Sequence, residues 1–304
     1  MTQRFTNIAE VLADLQAKVQ SKPLEKQKKP EKPGEDEYEC PICKDTEFVY
    51  YKQKSTNGLL YEFSKPCECR ERKAWKRRFK QSMIPDEFLN ANFENYQRVT
   101  QSQKVMYQMT LDYLNEFSVV EEEDGTKKKV LSQANFGLIA VFGEQRLKEL
   151  PVGERAMVKQ QHNNFGIGKT HLQIALSKRL IKDGFNVLVV SDVTFMDELI
   201  QAKMMNDEGE TLNRLLKSAI TADVLIWDDI GKAKWSEAKE TLYYQIINER
   251  YRKQRPIVFN SNEDRGTLAD KIGFAAASRL LGQCGDFLLE TEGEDWRLKK
   301  KGAV

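Results

Sequence analysis

From residue 136 onward, short apolar stretches alternate with stretches of helical periodicity. The apolar stretches are residues 136–143, 185–192, 223–229 and 255–262, and their β-branched and aromatic side chains are typical of buried strands. The first helix between them is expected to end at Gly184. Strands separated by helices pair in parallel, with helices on both faces of the sheet. The chain is therefore predicted to contain an α/β domain with a parallel sheet.

The stretch NNFGIGKT is typical of a phosphate-binding loop of the pattern G-x-x-x-x-G-K-[ST]. In such a loop, backbone N–H groups surround phosphate oxygens, the lysine neutralises the outer phosphates and the hydroxyl binds Mg²⁺. Asn163 replaces the first glycine, and asparagine tolerates left-handed backbone angles better than other non-glycine residues. The alternative is a glycine-bearing helix entry without a ligand. The predicted nucleotide-binding residues of this stretch are Asn163, Asn164, Phe165, Gly166, Ile167, Gly168, Lys169, Thr170 and His171.

The strand that feeds such a loop normally ends at it. Residues 156–163, AMVKQQHN, are too polar for a buried strand, whereas residues 136–143 are suitably apolar. We therefore favour the interpretation that residues 144–163 are an insertion, with Gly143 supplying the missing glycine. The inserted segment would bulge out beside the nucleotide as a lid or a partner contact.

Two carboxylates end the third apolar strand. Asp228 is predicted to bind Mg²⁺ together with Thr170, and Asp229 to orient or deprotonate an attacking water. The alternative is a helix cap or an ordinary exposed acid pair. After the next strand, Asn262, in preference to Asn260, is expected to contact a γ-phosphate or that water, unless it only forms a strand-end turn.

Two arginines follow, Arg279 in FAAASRLLG and Arg297 in DWRLKK. A planar guanidinium stabilises the charge that develops on a transferred phosphoryl group. Each arginine on its own is also typical of an exposed surface.

The motifs GIGKTHL, VLIWDDIG, IVFNSN and ASRLLG, in this order, resemble those of AAA+ ATPases, specifically bacterial replicative helicase loaders of the DnaC/DnaI type. IPDEFLNANFENY, at residues 84–96, is similar to the linker before their ATPase domain, so the resemblance covers roughly residues 84–300. The resemblance implies that Lys169 and Thr170 bind nucleotide, Asp228 and Asp229 are the metal and catalytic acids, Asn262 is a sensor, Arg279 is an arginine finger acting on a neighbouring subunit's ATP, and Arg297 is a second sensor.

Four of the five cysteines lie close together, in CPIC and CEC. Two such pairs can close one tetrahedral Zn²⁺ site, which would organise a region too small to have its own core. The alternative is four reduced structural cysteines, and Cys284 is expected to be a packing residue. The predicted zinc ligands are Cys40, Cys43, Cys67 and Cys69.

The N-terminal third has two further features. Residues 4–20 have helical apolar spacing, and the Lys-, Glu- and Pro-rich residues after them are typical of a flexible linker. That helix is either a loosely attached end or a docking helix for a partner. The basic run 70–80, which contains Trp75 and Phe79, either binds single-stranded DNA or, as we favour, forms a solvated helix whose aromatic residues pack on the zinc-binding turns.

Composition limits the remaining possibilities. The net charge of +2 leaves any nucleic-acid role to local patches, and no apolar run reaches the length of a membrane span, roughly 18–20 residues. The N-terminus lacks the apolar core of a signal peptide, so we expect a cytoplasmic protein without a membrane partner. The predicted regions are an N-terminal helix and linker at 1–37, a zinc-binding region at 38–83 and an AAA+ ATPase domain at 84–304.

The function implied by the resemblance is an ATP-dependent loader that delivers a hexameric replicative DNA helicase onto single-stranded DNA during replication initiation. ATP, Mg²⁺ and Zn²⁺ are the expected cofactors, and the chain would associate with itself through the ATP site. One alternative is a transposition-assisting ATPase, a class that usually lacks the zinc region. The others are a small-molecule kinase and a zinc adaptor that binds ATP without hydrolysis.

Overall fold

A computed structural model describes residues 38–54, 60–81, 83–122 and 125–298. These residues fall into two compact units, which divide between Arg70 and Glu71. The predicted helix at 4–20 and its linker lie outside the described residues, as do the side chains of Trp75 and Phe79. Within the described residues, no helix has the length and apolar content needed to cross a bilayer.

The first unit contains an antiparallel ribbon of two strands, β1 (Phe48–Lys54) and β2 (Leu60–Pro66). The clustered cysteines flank this ribbon, two before β1 and two after β2. A hydrogen bond of 2.9 Å from the backbone N–H of Cys67 to the carbonyl of Glu47 joins the two cysteine turns at the base of the ribbon. Helix α1 (Cys69–Gln81) begins at the fourth of these cysteines.

The second unit starts with a linker and a helix. A short 3₁₀ helix, Asp86–Phe88, precedes helix α2 (Gln101–Leu114), whose N-terminus is closed by a capping box from Thr100. Strands β3 (Ser118–Glu121) and β4 (Lys127–Val130) then form a hairpin.

The remaining elements alternate as the sequence predicts. In chain order they are β5 (Phe136–Ala140), α3 (Glu144–Glu149), α4 (Val152–Gln161), α5 (Lys169–Lys182), β6 (Val187–Ser191), α6 (Asp192–Met204), α7 (Glu210–Thr221), β7 (Val224–Asp228), α8 (Glu237–Arg252), β8 (Ile257–Asn260), α9 (Arg265–Ile272), α10 (Phe274–Gly282), a 3₁₀ helix Gly285–Phe287, β9 (Leu288–Thr291) and a 3₁₀ helix Trp296–Leu298.

Five of these strands form one parallel sheet in the order β6-β7-β8-β5-β9. Val190 pairs with Trp227, and Leu138 pairs with Asn260. The predicted α/β fold of AAA+ P-loop type is therefore confirmed. Because the carboxyl ends of parallel strands share one edge, the residues that follow β5, β7 and β8 meet there.

Apolar clusters cover both faces of the sheet. Leu225 and Trp227 pack into one cluster, whereas Val224 and Ile226, which alternate with them along β7, pack into the other. All four are fully buried, which explains why the strand sequence is continuously apolar.

Helices α3 and α4 occupy the segment between β5 and the phosphate loop. The apolar stretch at 136–140 is thus the strand, as we expected, and the polar stretch that begins at Ala156 continues helix α4. An ion pair of 2.8 Å joins Arg146 to Asp264, and the backbone N–H of Glu144 donates to the carbonyl of Asn262. Gly143 caps α3 and does not line the crevice described below.

The linker is fastened to helix α5 by two side chains. The Lys178 ammonium donates to the carbonyls of Phe88, Leu89 and Ala91, at the end of the 3₁₀ helix and just after it. His171 Nε2 lies 2.9 Å from the carbonyl of Asn92. These contacts hold the linker along helix α5.

Arg250 on α8 is fully buried, and its guanidinium donates to four backbone carbonyls. The acceptors are the carbonyls of Ala219, Ala222, Asp223 and Pro256. The side chain therefore joins the end of α7 to the starts of strands β7 and β8.

We expect Arg250→Met to lower the free energy of unfolding by at least about 3 kcal/mol, because several buried carbonyls lose their donors. Urea unfolding followed by tryptophan fluorescence measures the change. Arg252→Met is the matched control, since Arg252 is exposed on the same helix. A loss below about 1 kcal/mol for Arg250→Met would contradict the structural role assigned to this arginine.

Candidate functional site

A polar crevice opens at the carboxyl edge of the sheet. Its cavity volume is about 350 Å³, and ligand pockets usually measure roughly 300–1,000 Å³. The predicted nucleotide-binding residues line it, with the exception of Asn163. Asp229, Asn262 and Arg297 also lie in its wall.

Glycine is required at two positions of the loop. Gly166 and Gly168 have left-handed φ values of 65° and 100°. A Cβ at Gly166 would lie 1.8 Å from a carboxylate oxygen of Asp295, and one at Gly168 would lie 2.8 Å from the ring of Tyr96. Glycine is therefore required at both positions, because of the backbone conformation and because Asp295 and Tyr96 pack closely against the loop.

Asn163 plays a different part from the one we predicted. Its φ is not left-handed, so that expectation is wrong, and the left-handed turns fall at the two loop glycines instead. The Asn163 side-chain amide donates to the carbonyls of Phe165 and Gly293, over 2.9 and 2.6 Å. The N–H of Gly293 donates back to the Asn163 carbonyl over 2.7 Å. Asn163 thus ties the loop to the segment after β9.

Lys169 is the first residue of α5, and it is only 6% exposed. Its ammonium donates to the carbonyls of Asn164 and Ser261, each over 3.1 Å, and to Asn262 Oδ1 over 2.9 Å. Burial lowers the pKa of Lys169 to about 8, although the carboxylates of Asp229 and Asp228 oppose this change. A buried ammonium held by neutral oxygens is stabilised by any anion that enters the crevice.

The two acids after β7 have different environments. Asp228 Oδ1 accepts hydrogen bonds from Thr170 Oγ1 (2.8 Å) and from the Asn260 amide (2.6 Å). Asp229 adopts a left-handed φ of 57°, which is rare outside glycine, and burial raises the pKa of its carboxyl. The Thr170 hydroxyl and the Asp228 carboxylate are oxygen donors of the kind that Mg²⁺ prefers.

Asn262 lies between the lysine and the second acid. Its Oδ1 accepts from Lys169, and its Nδ2 donates to Asp229 Oδ1 over 2.5 Å. Asn260, the less favoured candidate, instead binds Asp228 and accepts from the N–H of Asp229. Both asparagines therefore position the acids, and the phosphate-sensing role of Asn262 stays a prediction.

The structure separates the two candidate arginines. Arg297 lines the crevice, and the N–H of its neighbour Trp296 donates to the carbonyl of Gly166 over 3.1 Å. Arg279 does not line it. Its exposed guanidinium donates to the carbonyl of Ala275 and lies 5.2 Å from the ring centre of Tyr244.

Sequence reasoning missed three crevice residues, Glu87, Phe88 and Lys232. Glu87 and Phe88 come from the linker, and the only sequence signal for them is the family-like stretch IPDEF. Lys232 follows the acids by three residues, and its ammonium lies 2.7 Å from a carboxylate oxygen of Glu144 in α3. The segment before the loop thus contacts a residue of the crevice wall.

The four clustered cysteines fit a tetrahedral metal site. Their sulfur atoms all lie within 4.8 Å of one another, all four thiols are buried, and none forms a disulfide. The Cys40 and Cys67 sulfurs are 3.8 Å apart, and the Cys43 and Cys69 sulfurs are 3.4 Å apart. Zinc–sulfur bonds of about 2.3 Å in a tetrahedron place sulfurs about 3.8 Å apart.

The chain is similar to known ATP-binding proteins. Residues 162–303 match the family model described as IstB-like ATP binding protein. The insertion sequence IS5376 putative ATP-binding protein of Geobacillus stearothermophilus is 30% identical over 184 residues, which make up 57% of this chain and 70% of that protein. The insertion sequence IS21 putative ATP-binding protein of Pseudomonas aeruginosa is 33% identical over 141 residues, or 45% of this chain.

A replicative helicase loader is also similar. The DnaC protein of Buchnera aphidicola subsp. Baizongia pistaciae is 30% identical over 115 residues, which make up 38% of this chain and 46% of that protein. The chain likewise spans about half (51%) of the IS21 relative.

The pKa of Lys169 predicts how ATP binding depends on pH. The ammonium form binds phosphate, and near pH 8 about half of the free protein has lost that proton. Binding at higher pH must therefore take up a proton, and we expect the affinity to fall about tenfold between pH 7 and pH 9. Titration calorimetry in buffers of different ionisation enthalpy measures both the affinity and the proton uptake.

Lys169→Met is the control for this experiment. It should bind ATP weakly at both pH values and take up no proton. An equal fall in affinity for the wild-type protein and Lys169→Met would assign the pH dependence to another group.

Proposed function

Because the chain belongs to the family of IstB-like ATP-binding proteins, we propose that it is an ATPase that delivers a ring-shaped replicative DNA helicase onto single-stranded DNA. The buried Lys169 ammonium is the observation that most directly supports ATP binding and hydrolysis. Its acceptors among the described residues are neutral oxygens, and it faces a crevice with two acids and a glycine loop.

In this proposal, the crevice residues act directly on ATP. The N–H groups of residues 166–170 and the Lys169 ammonium bind the phosphates. Thr170 and Asp228 hold Mg²⁺, which neutralises charge on the phosphate oxygens. Asp229 accepts a proton from the water that attacks the γ-phosphorus, the bond to the β-phosphate oxygen breaks, and ADP and phosphate result. Asn262 fixes the orientation of Asp229 through its amide.

Two arginines complete the proposed mechanism, one acting within its own copy of the chain and the other on a neighbouring copy. Arg297 lies in the wall of its own crevice. There it contacts the γ-phosphate and so distinguishes ATP from ADP. Arg279 is partly exposed on α10 and stabilises the transition state on the ATP of a neighbouring copy. ATP then acts as an assembly switch, because a site shared by two copies is complete only while they are together.

The remaining regions have proposed roles in partner binding. Residues 38–83 form a zinc-binding region around the four cysteines, and residues 1–37 grip the helicase. Residues 84–304 form the ATPase domain. The similarity to a replicative helicase loader supports the choice of helicase as the partner.

A transposition-assisting ATPase is the second candidate, and the comparisons support it equally. Two of the similar proteins are named as ATP-binding proteins of insertion sequences. The same crevice chemistry would serve this function, with a transposase in place of the helicase.

Capture of a purified hexameric replicative helicase by the full chain separates these two functions. We expect capture with ATP and Mg²⁺, and loss of capture in Lys169→Ala, because an empty crevice no longer supports the assembly. Lys182→Ala, an exposed substitution on the same helix, is the matched control and should capture normally. Capture of an insertion-sequence transposase, without capture of the helicase, would overturn the proposal in favour of the second candidate.

Mixing two inactive variants tests whether sites are shared between copies. Arg279→Ala keeps a complete crevice, and Lys169→Ala keeps the exposed arginine. An equimolar mixture should recover up to about one quarter of the wild-type phosphate release, since random pairing makes that fraction of sites complete. If Arg279→Ala hydrolyses ATP at the wild-type rate on its own, the trans-acting role is wrong.

A further inference from the structure

The β1–β2 ribbon presents a row of aromatic side chains that the proposed ATPase mechanism does not use. The register pairs Tyr51 with Phe63 and Gln53 with Tyr61. Directly paired residues share a face, so Tyr51, Phe63 and Tyr61 lie on one face. The rings of Tyr51 and Phe63 are stacked, with centres 5.8 Å apart and planes 25° apart.

This aromatic face is exposed. Tyr51, Phe63 and Tyr61 are 43%, 45% and 49% exposed, whereas Val49 on the same face packs against the cysteine cluster. An isolated two-stranded ribbon is marginally stable, and here the cysteine turns hold its base. The base of the ribbon is therefore held in place, and the three rings remain accessible.

The charges of the two strands favour a polyanion. The strands carry Lys52, Lys54 and Lys65 against the single acid Glu62. Lys65 lies on the aromatic face, opposite Val49, and no acid shares that face. Lys52 and Lys54 lie on the opposite face. Lysine is depleted from the buried centres of protein interfaces, so an aromatic row with a lysine on the same face suits a protein partner less well.

We propose that the face formed by Tyr51, Tyr61 and Phe63 is a stacking surface for single-stranded DNA, with Lys65 on the same face contacting the phosphates. Bases stack on aromatic side chains without sequence preference, and lysines follow the backbone. Same-face residues along a strand are about 6.8 Å apart, so successive rings can receive successive unstacked bases. The choice of DNA over RNA rests on the proposed function.

Fluorescence anisotropy of a labelled oligo(dT) with the full chain tests this surface. We expect each of Tyr51→Ala and Phe63→Ala to weaken binding by between about 5-fold and about 150-fold. Tyr51→Phe retains the ring and should bind as the wild type does. Tyr50→Ala is the matched control, since Tyr50 is 62% exposed on the opposite face.

Additional measurements exclude other causes of weaker binding. Zinc content and circular dichroism identify a variant that has lost its fold, and Lys65→Gln should lower both the affinity and its salt dependence without removing a ring. ATP binding and helicase capture, measured on the same variants, should be unchanged. Failure of the DNA-binding proposal would then leave the proposed ATPase and helicase-delivery function untouched, and the two can be judged separately.

Three results would overturn the proposal. The first is unchanged oligo(dT) affinity when both Tyr51 and Phe63 are replaced by alanine in a variant that keeps its zinc. The second is loss of helicase capture with DNA binding intact, which would assign the face to a protein. The third is tighter binding of oligo(rU) than of oligo(dT), which would assign it to RNA.

Discussion

The buried ammonium of Lys169 is the constraint on which the crevice depends. It is held by two backbone carbonyls and one amide oxygen, and burial lowers its pKa to about 8. A charge kept in this environment costs free energy that a bound anion offsets. Asn262 connects this lysine to Asp229, so the charge of the ligand and the orientation of the acid are linked through one amide.

A second buried group, the carboxylate of Asp192, binds residues on both sides of the acids Asp228 and Asp229. Asp192 is fully buried at the start of α6, and its carboxylate accepts from Trp227 Nε1, the Tyr243 hydroxyl and the N–H of Ala233. Trp227 directly precedes Asp228, and Ala233 ends the turn that follows Asp229. Burial raises the pKa of Asp192 to about 6, although its three donors oppose the change. The strained backbone of Asp229 is therefore fixed on both sides by one carboxylate.

Local patterns were enough to predict the sheet and most of the loop. The strands at 136–140, 187–191, 224–228 and 257–260 are continuously apolar because both of their faces are buried, and such runs are visible without a structure. Strand β9 was missed because it is four residues long and only partly buried. Glu87 and Phe88 reach the crevice through contacts of Lys178 with linker carbonyls, which sequence periodicity does not encode. The hydrogen bond from Asn163 to Gly293 joins residues far apart in the chain, so local sequence patterns could not predict it either.

A crystal structure of the chain with Mg²⁺ and a non-hydrolysable ATP analogue tests the role of the buried Lys169 ammonium most directly. We expect the Lys169 ammonium to leave the carbonyls of Asn164 and Ser261 and to bind β- and γ-phosphate oxygens, with the metal held by Thr170 and Asp228. An analogue bound elsewhere, with Lys169 still on those two carbonyls, would contradict this role.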